Sequence, residues 1–133
     1  MRIASFCFLL AASGGVVGMT LGIAMGLGGD FALAPAHAHV NLLGWVTMAL
    51  YGLYHRGAGR RATALDWAQA GCGGVGYPLF AGGLAAYLAT GREAVLPATI
   101  AGSLLCLAGM ALFLAVVLRD ALPRAAARAA AAT

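Results

Sequence analysis

The chain has 133 residues, of which 62% are hydrophobic and 9% are charged. A soluble domain of this length needs a larger charged surface, so the composition excludes an ordinary water-soluble protein and indicates an integral membrane protein. The eight basic residues are all arginine and four residues are acidic, which gives a net charge of +4. Because no stretch interleaves basic with aromatic residues, we interpret this charge as a topology signal and expect no nucleic-acid partner.

Four apolar segments follow one another along the chain. They predict transmembrane helices near residues 3–27, 37–54, 65–89 and 97–118, with residues 119–133 as a cytoplasmic tail. The first segment is longer than the roughly 7–15-residue core of a signal peptide, so we expect it to be retained although "APAHA" resembles a cleavage site. The prediction is an all-α fold, a single four-helix membrane bundle over residues 1–133.

The arginines are unevenly distributed among the connections. Most of them precede the first segment, lie between the second and third, or follow the fourth: Arg2; Arg56, Arg60 and Arg61; Arg119, Arg124 and Arg128. Because basic loops resist translocation, this pattern predicts that both termini and the middle loop are cytoplasmic. We expect a multi-pass protein of a bacterial-type inner membrane, with the 28–36 and 90–96 loops on the outer side.

Small residues recur along the first and third segments. Glycines at 14, 18, 22 and 26 form a stripe that lets another helix approach closely. The stripe favours packing within the chain, and the alternatives are a dimer seam or a flat face for a planar cofactor. The "GCGGVG" cluster of the third segment has no preceding strand and no following Lys-Ser/Thr, so it predicts close helix packing rather than a nucleotide loop. Three scattered cysteines form no metal pattern and are interpreted as structural.

The second segment carries the residues best suited to chemistry, because the chain has no Ser-His-Asp set, no paired intramembrane carboxylates and no HExxH motif. Ionisable side chains in a membrane are costly and are candidates for function. His37 and His39 are two residues apart, which is about 200° of helix rotation, so they point to opposite sides and cannot chelate one metal together. Neutral imidazole can bind haem iron, copper or zinc. The alternative is that both histidines cap the helix at the membrane interface.

The stretch "HAHVNLLGWVTMALYGLYHR" resembles the tenth transmembrane helix of subunit I of the haem–copper oxidases, especially their C-type branch. The resemblance is carried by the H-x-H pair followed by Leu-Gly-Trp: His37, His39, Leu43, Gly44 and Trp45. In that family the two histidines ligate two different haem irons. The resemblance covers about 20 residues, and it implies a b-type haem held by His37 and His39.

Subunit I of that family has twelve helices in three arcs of four, so this chain resembles one arc. The resemblance therefore implies a homotrimer in which His39 of one protomer and His37 of the next enclose one haem. Asn41, next to His37 on the helix, joins Gly44 and Trp45 in the expected cofactor-binding set. Arg92 is a candidate partner for haem propionates, the alternative being a solvated loop residue.

The expected role is electron transfer, with a possible redox partner, or binding of O2 or NO. The family's copper-site histidines, cross-linked tyrosine and proton channels have no counterparts here, so oxygen reduction coupled to pumping is not expected. Were the chain an enzyme, it would be an oxidoreductase of the oxidase or nitric oxide reductase type. Two alternatives stay open: a copper or zinc site shared between protomers, and a non-catalytic accessory membrane protein.

Overall fold

The structure is a computed structural model that describes the backbone of residues 1–130 and the side chains of residues 1–122. The described residues form four helices and no strands, which confirms the all-α prediction. The first helix, α1, spans Ile3–Gly28; α2 consists of three continuous stretches, Ala34–His39, Val40–Thr47 and Met48–Gly57; α3 spans Ala64–Thr90. The last helix, α4, spans Leu96–Ala130 and is entered through a 3-10 turn, Glu93–Val95.

Three of these helices are long and apolar enough to cross a membrane. They span Ile3–Gly28, Ala64–Thr90 and Glu93–Leu122, and an 18-residue stretch of each has a mean hydropathy of 1.9, 1.2 and 2.5, respectively. In α2 the middle stretch is a π-helix, which leaves only short α-helical stretches on either side. The three long apolar helices fit a multi-pass membrane protein. That α2 also crosses the membrane stays a prediction. The bounds agree with the predicted ones within three residues, except that α4 continues through the predicted tail to Ala130.

Local sequence explains where the helices start and stop. The glycines that follow α1 and α3, Gly29 and Gly91, adopt the left-handed conformation with φ of 65° and 66°. Residues with a Cβ rarely adopt this backbone, so glycine ends the helix there. At the start of α3 the carboxylate of Asp66 accepts the backbone N–H of Thr63 at 2.7 Å, which satisfies a donor that the helix leaves unpaired.

The glycine stripe of α1 packs against α2 of the same chain. A Cβ built on Gly14 would lie 2.9 Å from the backbone carbonyl carbon of Gly44, and side chains of α2 cover Gly18 and Gly22 equally closely. Around Gly26 the space is open to 4 Å. Packing within the chain is therefore confirmed for three of the four glycines, because α2 occupies the face that they leave free.

The glycine cluster of α3 brings α4 into backbone contact. A Cβ on Gly76 would lie 2.8 Å from the backbone nitrogen of Cys106, and one on Gly109 would lie 3.0 Å from that of Gly73. Close helix packing, as predicted for this cluster, is confirmed. All three cysteines are free thiols, and Cys7 is fully buried in the hydrophobic core.

The antiparallel order of the helices gives the bundle two distinct ends. One end holds the start of α1, the α2–α3 loop and the last described side chains of α4; we call it the arginine end because Arg2, Arg56, Arg60, Arg61 and Arg119 lie there. The other end holds His37 and His39 and is called the histidine end. Three of the segments predicted to be cytoplasmic therefore share one end, while its cytoplasmic location stays a prediction.

Candidate functional site

His37 lies in the interface between α1 and α2. Its Nδ1 is 2.9 Å from the backbone carbonyl oxygen of Gly18, and the ring is half-buried. The ring also covers Gly22, where a Cβ would approach the imidazole Cε1 to 2.8 Å. Only glycine leaves enough space on α1 for this imidazole, so the stripe is what positions His37.

The neighbours of His37 on α2 take part in the same interface. Asn41 covers Gly18 and donates its amide to the backbone carbonyl of His37 at 2.9 Å. Gly44 lies between Gly14 and the ring of Tyr77. The indole of Trp45 covers Gly15 and is 45% exposed. The structure thus brings four predicted site residues, His37, Asn41, Gly44 and Trp45, onto one helix-packing surface.

His39 has a different environment from His37. Its imidazole contacts the ring of Phe80 on α3 edge-on, with centroids 4.6 Å apart and planes at 66°. Its Nδ1 lies 2.7 Å from the backbone carbonyl oxygen of Pro35, one turn earlier in α2. The ring is half-buried. The two histidines therefore face α1 and α3 respectively, as the rotation between them predicts.

The hydrogen bonds of both imidazoles define which nitrogen carries the proton. A carbonyl oxygen can only accept, so in His37 and His39 the neutral ring donates Nδ1–H and keeps its lone pair on Nε2. Metal-bound histidines commonly have this arrangement, because a hydrogen bond on the other nitrogen fixes the ring and makes the ligand more basic. Haem iron needs one or two such axial ligands from the protein.

A metal site built from three or more protein ligands is not assembled within the described residues. They contain no group of three histidine, cysteine or carboxylate side chains close enough to hold one ion.

The π-helix of α2 begins directly after His39. It spans Val40–Thr47, which contains the "LLGW" sequence. The Thr47 hydroxyl donates to the carbonyl oxygen of Leu42, five residues earlier, at 2.8 Å. Such wide turns are rare and often accompany functional sites. Gly44, within this stretch, faces Gly14 of α1.

The groove nearest the histidine end is smaller than an ordinary ligand pocket. A groove of about 260 Å³ runs between α1, α2 and α3, with Ala36, Val40 and Pro78 among its lining residues. No histidine lines it, and pockets for drug-sized ligands measure about 300–1,000 Å³.

Arg92 is exposed in the α3–α4 loop, about 15 Å along α3 from the level of Phe80. The structure therefore does not bring Arg92 into the same cluster as the histidines.

A second polar cluster, at the arginine end, surrounds Asp66. This carboxylate is fully buried and accepts two hydrogen bonds from Arg60, Nη1 to Oδ2 at 2.7 Å and Nη2 to Oδ1 at 2.9 Å. Arg119 of α4 donates a third at 3.0 Å, and the Thr63 hydroxyl a fourth at 2.8 Å. The bidentate pairing makes Arg60 the principal partner of this buried charge.

Asp120 joins the same cluster from α4. It accepts Arg60 Nη2 at 2.9 Å, Arg119 Nε at 3.1 Å and the Tyr54 hydroxyl at 3.1 Å. Hydrogen bonds to Asp66 raise the pKa of Arg60 above its already high usual value, with desolvation opposing them. Arg60 is therefore permanently charged, and it ties the α2–α3 loop to both α3 and α4.

His55 and Gln69 extend this cluster into the core. The imidazole Nε2 lies 2.8 Å from the Gln69 Oε1, and Nδ1 lies 4.0 Å from the Asp66 carboxylate. Both side chains are buried, and Gln69 Nε2 has no hydrogen-bond partner among the described residues. The structure buries both His55 and Tyr51 inside the bundle.

Sequence reasoning gave no role to Asp66 and Asp120, and it used Arg119 only as a marker of topology. One signal was available: only four residues are acidic, and two of them lie at predicted helix ends that the topology brings together, each near arginines. Charges so rare in an apolar chain are expected to pair.

Comparison with known proteins gives no relatives for this chain. No protein-family model, no curated protein and no solved structure matches it.

Proposed function

We propose that the chain is a membrane haem protein in which the imidazole of His39 would hold the iron of a b-type haem. The observation that carries this proposal is the hydrogen bond from His39 Nδ1–H to the carbonyl oxygen of Pro35 at 2.7 Å. It leaves the Nε2 lone pair available and holds the ring against Phe80, which is the preparation that a metal-ligating imidazole needs. The resemblance of "HAHVNLLGW" to the haem-binding helix of oxidase subunit I supports the same assignment.

The proposed haem lies between protomers rather than inside one bundle. The groove beside α2 is small and no histidine lines it, so the described chain supplies a ligand without an enclosure. A second copy, in the homotrimer that the one-arc resemblance implies, would cover the haem. The ring of His37 is packed over Gly22 in the α1–α2 interface, with its Nε2 3.5 Å from the Asn41 amide nitrogen. It would have to leave this interface to reach a neighbouring haem, so His39 is the stronger ligand candidate and His37 the conditional one.

The role follows from the number of axial ligands. A haem with two histidine ligands suits electron transfer, whereas one open position permits binding of O2 or NO. When bound, the haem supplies the redox or gas-binding chemistry. The residues of this chain hold and orient the haem, because the Pro35 carbonyl fixes the His39 imidazole and Phe80 restricts the rotation of that ring.

The test is an absorbance spectrum of the full chain, produced with ample haem and purified in mild detergent. We expect a Soret band that shifts on dithionite reduction and is lost in His39→Ala. His55→Gln is the matched control, because it removes the third histidine from the opposite end of the bundle and should keep the band. Helicity measured by circular dichroism must be the same in all variants.

His37→Ala separates the two versions of the site. Loss of the band in both histidine variants supports two-histidine ligation across protomers, and loss in His39→Ala alone supports a single protein ligand. A colourless protein, or a band that survives in His39→Ala, contradicts the proposal. Zinc or copper in a colourless preparation would favour the shared metal site instead.

A further inference from the structure

At the arginine end a cavity of about 620 Å³ opens between the start of α1, the α2–α3 loop and the start of α3. Four of its lining residues are arginines, Arg2, Arg56, Arg60 and Arg61, and no acidic side chain lines it among the described residues. The size is within the range of ligand-binding clefts, about 300–1,000 Å³. An uncompensated basic lining indicates an anionic ligand.

The charges of the neighbouring ion-pair cluster do not neutralise this lining. Arg60 and Arg119 are balanced by Asp66 and Asp120, two positive charges against two negative ones. Arg2, Arg56 and Arg61 stand outside this cluster and are exposed, so three arginines line the cavity without a carboxylate there. Arginine presents a planar fork of donors that matches phosphate oxygens.

Rigid parts of the chain form the rest of the cavity wall. His55 lines it and is nine-tenths buried, held by Gln69. Arg60 is fixed by its bidentate contact with Asp66 and presents its remaining surface to the cavity. A site whose walls are already held in place loses less conformational entropy when a ligand binds.

The uncapped start of α1 lies at the same cavity. Ile3 and Ala4 line the cavity, and no side chain caps the helix at Arg2. The first N–H groups of a helix have no partner within it and carry a partial positive charge, which favours an anion.

We propose that this cavity binds the phosphate group of an anionic ligand, either a phospholipid headgroup or a soluble phosphate compound. Arg56, in the last turn of α2, and Arg61, in the α2–α3 loop, hold the phosphate together with Arg2, which directly precedes α1. This site lies at the opposite end of the bundle from His39 and does not depend on the proposed haem.

Trp67 gives the site its own reporter. It lines the cavity and is 38% exposed, and the only other tryptophan, Trp45, lies on α2 against α1. In a Trp45→Phe background, the emission of Trp67 is therefore followed in nonionic detergent with inorganic pyrophosphate, and in nanodiscs of phosphatidylglycerol or phosphatidylcholine. Native mass spectrometry counts the retained phosphatidylglycerol independently.

The matched variants are Arg61→Gln and Arg92→Gln, which remove one exposed arginine from either end of the bundle. We expect Arg61→Gln to weaken binding about tenfold, equivalent to about 1.4 kcal/mol, and Arg92→Gln to bind like the parent.

A saturable response to pyrophosphate in detergent identifies a soluble phosphate ligand. A response only to phosphatidylglycerol nanodiscs identifies a lipid headgroup.

Two results would overturn the proposal. The first is equal binding by Arg61→Gln and Arg92→Gln, which would show that phosphate binding depends only on the overall positive charge of the chain. The second is the absence of both a Trp67 response and retained phosphatidylglycerol. Circular dichroism on each variant confirms that the bundle is folded.

Discussion

Replacing Gly14 by alanine should separate α1 from α2 at the point where their backbones are closest. The new Cβ would lie 2.9 Å from the carbonyl carbon and 3.1 Å from the Cα of Gly44. These are backbone atoms, so no side-chain rotation can relieve the overlap. A Cβ built on Gly44 would lie 2.7 Å from the ring of Tyr77, so this ring packs against Gly44 and α2 cannot shift away freely. Such overpacking typically costs about 1–3 kcal/mol.

Gly26→Ala is the control for this substitution. Gly26 lies on the same helix and has nothing within 4 Å of a built Cβ. The helix-propensity gain of alanine over glycine, about 0.5–1 kcal/mol, is common to both variants. The difference in unfolding free energy between them is therefore the packing cost alone, and we expect Gly14→Ala to be less stable by about 1–3 kcal/mol.

The assay is unfolding of the purified chain by SDS titrated into mild detergent, followed by far-ultraviolet circular dichroism. Equal midpoints for the two variants would refute the assignment of the glycine stripe to packing within the chain. A lower midpoint for Gly26→Ala would instead indicate that the open end of the stripe is a contact with another copy.

Two further predictions concern the arginine end and the topology. Asp66→Asn should destabilise the bundle by about 2–4 kcal/mol, since it leaves two partly exposed arginines without their buried carboxylate, whereas Glu93→Gln in the exposed 3-10 turn should change the SDS midpoint little. In cells expressing a variant without native cysteines, a membrane-impermeant maleimide should label Ala32→Cys directly and Ala62→Cys only after permeabilisation. If Ala62→Cys were labelled directly and Ala32→Cys only after permeabilisation, the proposed orientation would be reversed. Equal SDS midpoints for Asp66→Asn and Glu93→Gln would contradict the structural role of the buried ion pairs.

Much of the fold follows from composition and spacing. Apolar length and the helix stops at Gly29 and Gly91 define the helices, and the glycine positions define which faces meet. The opposed directions of His37 and His39 also follow, because they depend only on helix rotation.

Other features depend on tertiary contacts that a one-dimensional pattern does not contain. The π-helix Val40–Thr47 has a sequence compatible with an ordinary α-helix, and the hydrogen bond of Thr47 that accompanies it is known only from the structure. Asp66 pairs with Arg60 and Arg119, which lie 6 and 53 positions away along the chain. Arg119 was assigned to a tail without function because sequence distance conceals this meeting.

The central claim is that the Nε2 of His39 binds haem iron, and replacing that imidazole by a free one tests it most directly. In His39→Gly the side chain is absent and its place beside Phe80 is vacated, so added imidazole can take the axial position. We predict that His39→Gly lacks the Soret band and that imidazole restores it in a saturable manner, while His55→Gln keeps the band without imidazole. A Soret band in His39→Gly that is unchanged by imidazole would contradict the account.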